Sequence, residues 1–384
     1  MISLKKVLFF FLCVFSFLGS VAAAELAENA KSAILIEATT GEVLYEKNAD
    51  EALAPASMTK MMTLLLTMEA IEKGNINLED EVPVSENAAS MGGSQVFLEA
   101  GAMYTLDEII KAVCIASGND AAVVLAEAIG GSTAHFVEMM NAKAKELGLT
   151  ATNFVNVYGL DADGHLSSAR DMAKMGRELI KHDLILKYSS IYEDYLKKKD
   201  GSSLWMVNTN KLVRFYQGVD GLKTGYTGKA GFCLTATGEW KGLRLISVVM
   251  GEPDQDARSK DTVALLNYGK SVYKVNTIIE KDTILGEIDI ELGEKMKEEI
   301  TILEDAKDLV KINGEEEKYS YKMNLDEVKA PVKKGDKVGI LELYSNEEKI
   351  GEVEITVKNT VEKCSFWQVL KRIFVILSSG GSCE

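Results

Sequence analysis

Two side chains near the start of the chain have the types and spacing of a nucleophile and its base. Ser57 and Lys60 are three residues apart, and residues three apart on a helix lie on one face. A serine hydroxyl is a poor nucleophile until a base takes its proton, and a lysine amine does this only when its pKa is low. Ser-x-x-Lys also occurs at Ser3 and at Ser271, and a serine that begins a helix is often only a cap. The pair by itself leaves both interpretations open.

Two further short motifs follow in chain order. Ser-Gly-Asn at residues 117–119 interrupts an apolar helical stretch, and Lys-Thr-Gly at residues 223–225 lies in a β-favouring stretch. Each has an ordinary structural interpretation, a turn between helices for the first and an edge strand entering a turn for the second. Ser-x-Asn also occurs at residues 85–87, whereas Lys-Thr-Gly occurs once. Three motifs in suitable elements favour one active site built from remote parts of the chain.

The hydrophobic pattern predicts the elements that would position these motifs. Two β-favouring runs flank Thr40-Gly41 and predict a hairpin over 32–46. Helical spacing of apolar residues from Met58 to Glu72 places Ser57 at a helix start. Further helices are predicted at 106–116, 121–129, 134–147, 168–181 and 257–273, and strands at 219–227, 232–237 and 243–250. Strands at both ends of this region predict an α/β (α+β) domain in which helices cover one sheet.

From about residue 275 the pattern changes. Short β-like runs, beginning with residues 283–285, alternate with acidic and lysine-rich turns. They predict a small all-β domain, either a sandwich or a partial barrel.

The tail that follows is amphipathic. One helical face carries apolar side chains, namely Phe366, Trp367, Leu370, Ile373, Phe374 and Leu377, and the other carries Gln368, Lys371 and Arg372. At about a dozen residues this helix is too short to span a bilayer, which needs roughly 20. We expect it to lie in the membrane surface with its basic residues near anionic headgroups. The alternative is a helix packed on the β domain.

The first 24 residues have the pattern of a secretory signal peptide. Lys5 and Lys6 precede a long apolar run, and small residues ending at Ala24 follow it; a permanent membrane anchor is the alternative. We therefore expect a leader at 1–24, a main domain at 25–274, an all-β domain at 275–361 and an anchoring tail at 362–384. The protein would be secreted across the cytoplasmic membrane and held on its outer face.

Composition argues against several functional classes. At 47% hydrophobic residues, the 384-residue chain can bury a large core. Its net charge of −15 and pI of about 4.9 argue against nucleic acid as the main partner. Three histidines and irregularly spaced cysteines predict no metal site and no disulfide framework.

The expected places of three side chains follow from their neighbours in sequence. Cys114 and Cys233 lie in apolar runs and are predicted to be buried thiols. His165 is predicted to lie in a surface loop, with the pocket rim as its alternative place.

These motifs, together with the leader, the β domain and the tail, resemble the serine D-alanyl-D-alanine carboxypeptidases, the low-molecular-mass penicillin-binding proteins. The resemblance covers essentially the whole chain and includes residues 158–160 and 167–173. It implies a β-lactamase/transpeptidase-like fold and removal of the terminal D-alanine from peptidoglycan pentapeptides through a serine acyl-enzyme. Peptidoglycan stem peptides, β-lactam antibiotics as covalent inhibitors and the membrane surface are the implied partners. No cofactor is expected.

The resemblance also implies roles in bond making. Ser57 would be the acylated nucleophile and Lys60 its base, and Ser117 would pass a proton to the leaving D-alanine amine. The backbone N–H groups of Ser57 and Tyr226 would form an oxyanion hole. Burial, or the positive charge of Lys223, would lower the pKa of Lys60.

The remaining implied roles concern substrate binding. Asn119 would hold a substrate amide, and Gly225 and Tyr226 would also bind the substrate. Lys223 and Thr224 would bind the terminal carboxylate, with Arg258 as a looser match. Tyr226 occupies the position where some relatives have histidine. This difference leaves open how fast the reaction is and at which pH it is fastest.

Two other functions compete with this one. A class A β-lactamase shares the acylation chemistry but uses a glutamate to activate the deacylating water, and no Glu-x-x-Leu-Asn element occurs between Asn119 and Lys223. A non-catalytic wall-binding scaffold would lack the nucleophile or the base, whereas all motif residues are present here.

Overall fold

The computed structural model describes residues 26–314 and 317–378, so the predicted leader lies outside the described residues. These residues form two compact units. The first comprises residues up to 36, 43–238 and 245–267, and the second comprises 37–42, 239–244 and the residues from 268 onward.

The helices that precede the C-terminal region surround the three motifs. They are α1 (Lys60–Glu72), α2 (Glu86–Ala89), α3 (Leu106–Ala116), α4 (Asn119–Gly130), α5 (Thr133–Glu146), α6 (Ala169–Leu179), α7 (Asp183–Ser189), α8 (Leu212–Phe215) and α9 (Gln255–Val272). Helix α1 is buried on every side from Lys60 to Met68, which is the pattern of a central helix rather than a surface one.

The strands of the same region are β1 (Ser32–Glu37), β2 (Val43–Lys47), β3 (Glu81–Pro83), β4 (Met103–Thr105), β5 (Glu193–Lys197), β6 (Ser203–Val207), β7 (Val219–Thr227), β8 (Gly231–Trp240) and β9 (Leu243–Glu252). Five of them form one sheet in the order β2-β1-β9-β8-β7. Strands β3 with β4 and β5 with β6 form separate antiparallel pairs. The predicted sheet with strands from both ends of the domain is confirmed.

The second unit contains the predicted all-β domain. Its strands are β10 (Tyr273–Ile279), β11 (Gly286–Glu291), β12 (Lys297–Ile302), β13 (Ala306–Lys311), β14 (Tyr319–Leu325), β15 (Val328–Lys329), β16 (Lys337–Ser345) and β17 (Glu348–Val357). Six of them form a sheet in the order β14-β16-β17-β12-β11-β15 over a core of isoleucine, valine and leucine, and β10 pairs with β13. Residues 283–285, predicted as a strand, precede β11 instead.

The tail forms helix α10 (Phe366–Ser378), and residues 379–384 lie outside the described part of the chain. Phe366, Trp367 and Phe374 are exposed, as an apolar surface-binding face requires. The Arg372 guanidinium donates to the carbonyl oxygens of Gly293 at 2.8 Å and of Glu294 at 2.7 Å, and its expected place near headgroups stays a prediction. Among the described residues, no helix is both long and apolar enough to cross a bilayer.

Candidate active site

Ser57 lies in a short 3-10 turn, Ala56–Thr59, which leads directly into α1. Ser57 is not itself a helix cap, since the cap positions of this turn and of α1 are Pro55 and Thr59 and make no side-chain capping bond. The Ser57 hydroxyl instead accepts a hydrogen bond from Lys60 Nζ at 3.0 Å. A free hydroxyl beside an amine is the arrangement that nucleophile activation needs.

The Lys60 amine is fully buried. Besides Ser57 Oγ it donates to Asn119 Oδ1 at 2.6 Å and to the carbonyl oxygen of Tyr158 at 2.7 Å. Burial holds the pKa of Lys60 well below its ordinary value, and the positive charge of Lys223 lowers it further. A neutral amine, which can accept a proton, is therefore reached at a lower pH than for an ordinary lysine.

The Ser-Gly-Asn motif forms the break between α3 and α4, as predicted. Ser117 adopts a left-handed conformation with φ 61° at the end of α3, and Asn119 begins α4. The Asn119 amide bridges two elements, because Oδ1 accepts from Lys60 while Nδ2 donates to the carbonyl oxygen of Gly92 at 2.7 Å. Asn119 thus holds the Lys60 amine in place.

Asp120 fixes the loop of residues 91–98 around this motif, a role that the sequence reasoning missed. Its buried carboxylate accepts from the backbone N–H of Val96 at 3.1 Å and of Leu98 at 3.0 Å. The backbone N–H of Asn119 also donates to the carbonyl oxygen of Ser94 at 2.7 Å. The sequence did show Asp120 as an acidic residue in the first turn of a helix. Such a residue commonly indicates only that the helix is stabilised.

Strand β7 carries the Lys-Thr-Gly motif. Lys223 is buried and donates to the carbonyl oxygen of Thr224 at 3.1 Å. Burial lowers the pKa of Lys223 to about 7, with a further lowering by the charge of Arg258. The Thr224 hydroxyl donates to Thr209 Oγ1 at 2.7 Å. Thr209 was not predicted, because an isolated threonine between two asparagines has no distinctive pattern.

Two glycines let the other elements approach the Ser57 turn. A Cβ at Gly225 would lie 2.9 Å from the carbonyl oxygen of Pro55 and 3.1 Å from the backbone nitrogen of Ser57. A Cβ at Gly159, whose φ is +95°, would lie 1.9 Å from the carbonyl oxygen of Ala56. Strand β7 and the 158–160 segment therefore both pack directly against the backbone around Ser57.

His165 is not in a surface loop, and that prediction is wrong. The side chain is buried, with only 2% of its surface exposed. Its Nδ1 accepts from the backbone N–H of Val155 at 2.9 Å, which leaves Nε2 to donate to Thr59 Oγ1 at 2.8 Å. Burial lowers the pKa of His165 to about 4. The polar residues around it predicted exposure, whereas two satisfied ring nitrogens allow burial as a neutral support for the Ser57 turn.

The last two predicted residues differ in exposure. Tyr226 is 59% exposed, and its ring stacks on Phe232 with the ring centres 4.2 Å apart. Arg258 on α9 is buried, and its Nε has no hydrogen-bond partner among the described residues. An unpaired buried donor beside the Lys223 charge suits a site that receives an anion.

The sequence itself links this geometry to known proteins. Residues 20–254 match the family described as D-alanyl-D-alanine carboxypeptidase. The chain belongs to that family. A second match, described as the C-terminal domain of penicillin-binding protein 5, covers residues 273–363 of this carboxypeptidase.

Individual relatives match nearly the whole carboxypeptidase. The D-alanyl-D-alanine carboxypeptidase DacF of Bacillus subtilis (strain 168) is 46% identical over 352 residues, covering 91% of this chain and 90% of the relative. The structure of penicillin-binding protein 5 from Haemophilus influenzae is 31% identical with a TM-score of 0.70, covering 89% of this chain and all of the other. Penicillin-binding protein D2 from Listeria monocytogenes, solved in an ampicillin-bound form, is 31% identical with a TM-score of 0.57, covering 64% and 99%.

Proposed function

We propose that this carboxypeptidase removes the terminal D-alanine of peptidoglycan pentapeptides through an acyl-enzyme on Ser57, with Lys60 as the base. The observation that carries the proposal is the hydrogen bond between the buried Lys60 amine and the Ser57 hydroxyl. A lysine whose pKa is strongly lowered can take the hydroxyl proton of a neighbouring serine at a lower pH than an ordinary lysine. The buried hydroxyls of Ser167 and Ser189, by contrast, have a hydroxyl and a carbonyl partner rather than an amine.

In the acylation step, Lys60 Nζ takes the Ser57 proton and Ser57 Oγ attacks the carbonyl carbon of the penultimate D-alanine. Negative charge develops on the carbonyl oxygen. The backbone N–H groups of Ser57 and Tyr226 stabilise it, supported by the close approach of Gly225 to the Ser57 nitrogen. The amide bond then breaks, the leaving amine takes a proton through Ser117, and an ester remains on Ser57. Water hydrolyses this ester, which releases the shortened peptide and restores the hydroxyl.

The terminal carboxylate of the substrate fits the cationic end of the site. Lys223, Thr224 and Arg258 supply a charged amine, a hydroxyl and a guanidinium. The pKa of Lys223 is about 7 without substrate, and a bound carboxylate raises it because opposite charges favour the ionised form. Substrate binding thus keeps Lys223 charged, and Asn119 holds the peptide amide.

Penicillin would acylate the same serine, because a β-lactam presents a strained amide and a carboxylate to the same groups. The ampicillin-bound form of the Listeria protein supports this proposal. A class A β-lactamase would turn penicillin over rapidly, whereas a carboxypeptidase holds a long-lived adduct.

The cellular placement is also a proposal. We infer a leader at 1–24, a peptidase domain at 25–274, a β domain at 275–361 and a membrane-anchoring tail at 362–384. A second compact unit beginning at 268 and the family match at 273–363 support the domain division. The exposed rings of Phe366, Trp367 and Phe374 support contact between the tail and the outer face of the cytoplasmic membrane.

Removal of the hydroxyl tests the proposed chemistry. Ser57→Ala should abolish both D-alanine release from a pentapeptide ending in D-Ala-D-Ala and labelling by fluorescent penicillin. Ser271→Ala, in the other Ser-x-x-Lys pattern of the described chain, is the matched control and should leave both unchanged. Labelling that survives Ser57→Ala would show another nucleophile. Penicillin labelling by the wild-type protein without D-alanine release would favour a wall-binding scaffold.

A further inference from the structure

The hairpin of β5 and β6 presents two large aromatic rings to solvent. Tyr195 and Trp205 are direct cross-strand partners, so their side chains lie side by side on one face. They are 63% and 57% exposed, respectively. Exposed aromatic pairs of this size are uncommon on surfaces that bind nothing.

The hairpin that exposes these two rings is buried on its other face. Leu196 and Met206, on the opposite face, are buried. The Trp205 indole N–H donates to Glu193 Oε2 at 3.1 Å, which restrains the ring. The outer face is therefore a fixed aromatic surface.

Both ends of the hairpin are joined to the candidate active site. At the turn end, the Lys198 amine donates to the carbonyl oxygens of Val96 and Phe97 in the 91–98 loop, which Asp120 fixes. At the other end, the chain continues from β6 to Thr209, the hydrogen-bond partner of Thr224. The hairpin that carries the aromatic face is thus anchored at both ends to elements that border the site.

A second aromatic group extends this surface on the chain that flanks the hairpin. The rings of Tyr192 and Phe215 meet edge to face with their centres 6.0 Å apart. The Arg214 guanidinium lies 4.7 Å and the Lys211 amine 5.4 Å from the centre of the Tyr192 ring. Both cations lie over the Tyr192 ring, and the Arg214 guanidinium is 3.9 Å from Glu193, the hydrogen-bond partner of Trp205. Charged groups therefore border the exposed aromatic pair.

We propose that this hairpin face binds the glycan strand of peptidoglycan, the amino-sugar polymer to which the stem peptides are attached. The inference rests on the proposed function, which places stem peptides in the adjoining site. A pyranose ring presents a face of C–H groups that packs on the negative face of an aromatic ring. Its hydroxyl and acetamido groups point outward, where Arg214 and Glu193 beside the aromatic pair can contact them. The face would hold the polymer while its peptide enters the cleft.

Substrate size provides the first test. The double variant Tyr195→Ala with Trp205→Ala should hydrolyse a free pentapeptide with a kcat/KM within about twofold of wild type. On intact pentapeptide-rich peptidoglycan its kcat/KM should fall about tenfold, since two stacking contacts together contribute about one to two kcal/mol and 1.4 kcal/mol is tenfold. Trp205→Phe, which keeps a ring, should restore most of that loss. Tyr321→Ala, an exposed tyrosine of the β domain, is the control and should change neither rate.

Binding without chemistry provides the second test. Peptide-free glycan strands, titrated into the Ser57→Ala protein, should give a saturable change in tryptophan fluorescence that Trp205→Phe removes.

Several outcomes would overturn the proposal. In the first test, these are equal losses of kcat/KM on free peptide and on polymer, or no loss on either. A mass doubling in light scattering that the double variant abolishes would assign the face to a second copy of the chain instead. If wild-type protein does not hydrolyse free pentapeptide, the proposed function fails, and the strand titration still decides this inference.

Discussion

At the scale of single residues, two buried lysines set the chemistry of this site. Burial lowers the pKa of both Lys60 and Lys223, and the charge of Lys223 lowers the pKa of Lys60 further. A buried amine loses its proton readily because the charged form is poorly solvated. One lysine can therefore serve as a base, while a bound carboxylate favours the charged form of the other. The motif residues were predicted from sequence, but the different protonation behaviour of the two lysines depends on their burial.

Removal of the second cation should shift the pH dependence of acylation. A lowered pKa means that Lys60 becomes neutral, and active as a base, at a lower pH than an ordinary lysine. In Lys223→Gln the repulsion is gone, so the pKa of Lys60 rises and the acid limb of penicillin acylation moves to higher pH. The rate constant of acylation between pH 5 and 10 measures this. The exposed Lys229→Gln is the control; an acid limb that stays in place would show that burial alone sets the Lys60 pKa.

At the scale of elements, the Ser57 turn is held by neighbours from three parts of the chain. Strand β7 approaches it at Gly225, the 158–160 segment approaches it at Gly159, and buried His165 donates to Thr59. The elements themselves were largely predictable, because apolar periodicity specifies helices and strands locally. The 3-10 turn and the burial of His165 were not, because both depend on packing between segments that are remote in sequence.

Gly159 offers a sharp test of this packing. In Gly159→Ala the new Cβ would lie 1.9 Å from the Ala56 carbonyl oxygen, so the Ser57 turn must shift. We expect penicillin acylation to slow at least about tenfold, because small displacements of a nucleophile are costly. Gly148→Ala is the matched control, with a similarly positive φ of +64° but no neighbour within 4 Å. It should lose only about 1 kcal/mol of stability, and equal acylation rates in both variants would contradict the argument.

At the scale of the whole molecule, the chain combines a hydrolytic unit with a β unit that ends in an amphipathic helix. The exposed face of α10 fits an in-plane membrane contact, while Arg372 binds backbone carbonyls of the β unit. The helix is thus attached to the β domain on one side and free to meet lipid on the other. The two alternatives from the sequence, anchor or packed helix, are compatible in this arrangement.

Deletion of the helix should separate membrane attachment from activity. The cut belongs after Ser365, because Cys364 is buried and its N–H donates to the Leu292 carbonyl oxygen at 2.8 Å. The secreted, truncated chain should remain in the supernatant after sedimentation of membranes and should release D-alanine from a soluble pentapeptide at the wild-type rate. Arg372→Gln in the full chain is the comparison, and it should keep membrane attachment. Truncated protein that still sediments with membranes would place the anchor elsewhere.

The amino-acid sequence by itself determined the order of the three motifs, the elements that carry them and the change to a β-rich C-terminal region. These features follow from side-chain type and local periodicity. Only the tertiary structure decided which groups meet: the Tyr158 carbonyl oxygen and Asn119 on Lys60, Thr209 on Thr224, and His165 beneath the Ser57 turn. Contacts between residues remote in sequence leave no local pattern, and the pKa of Lys60 follows from burial that packing alone creates.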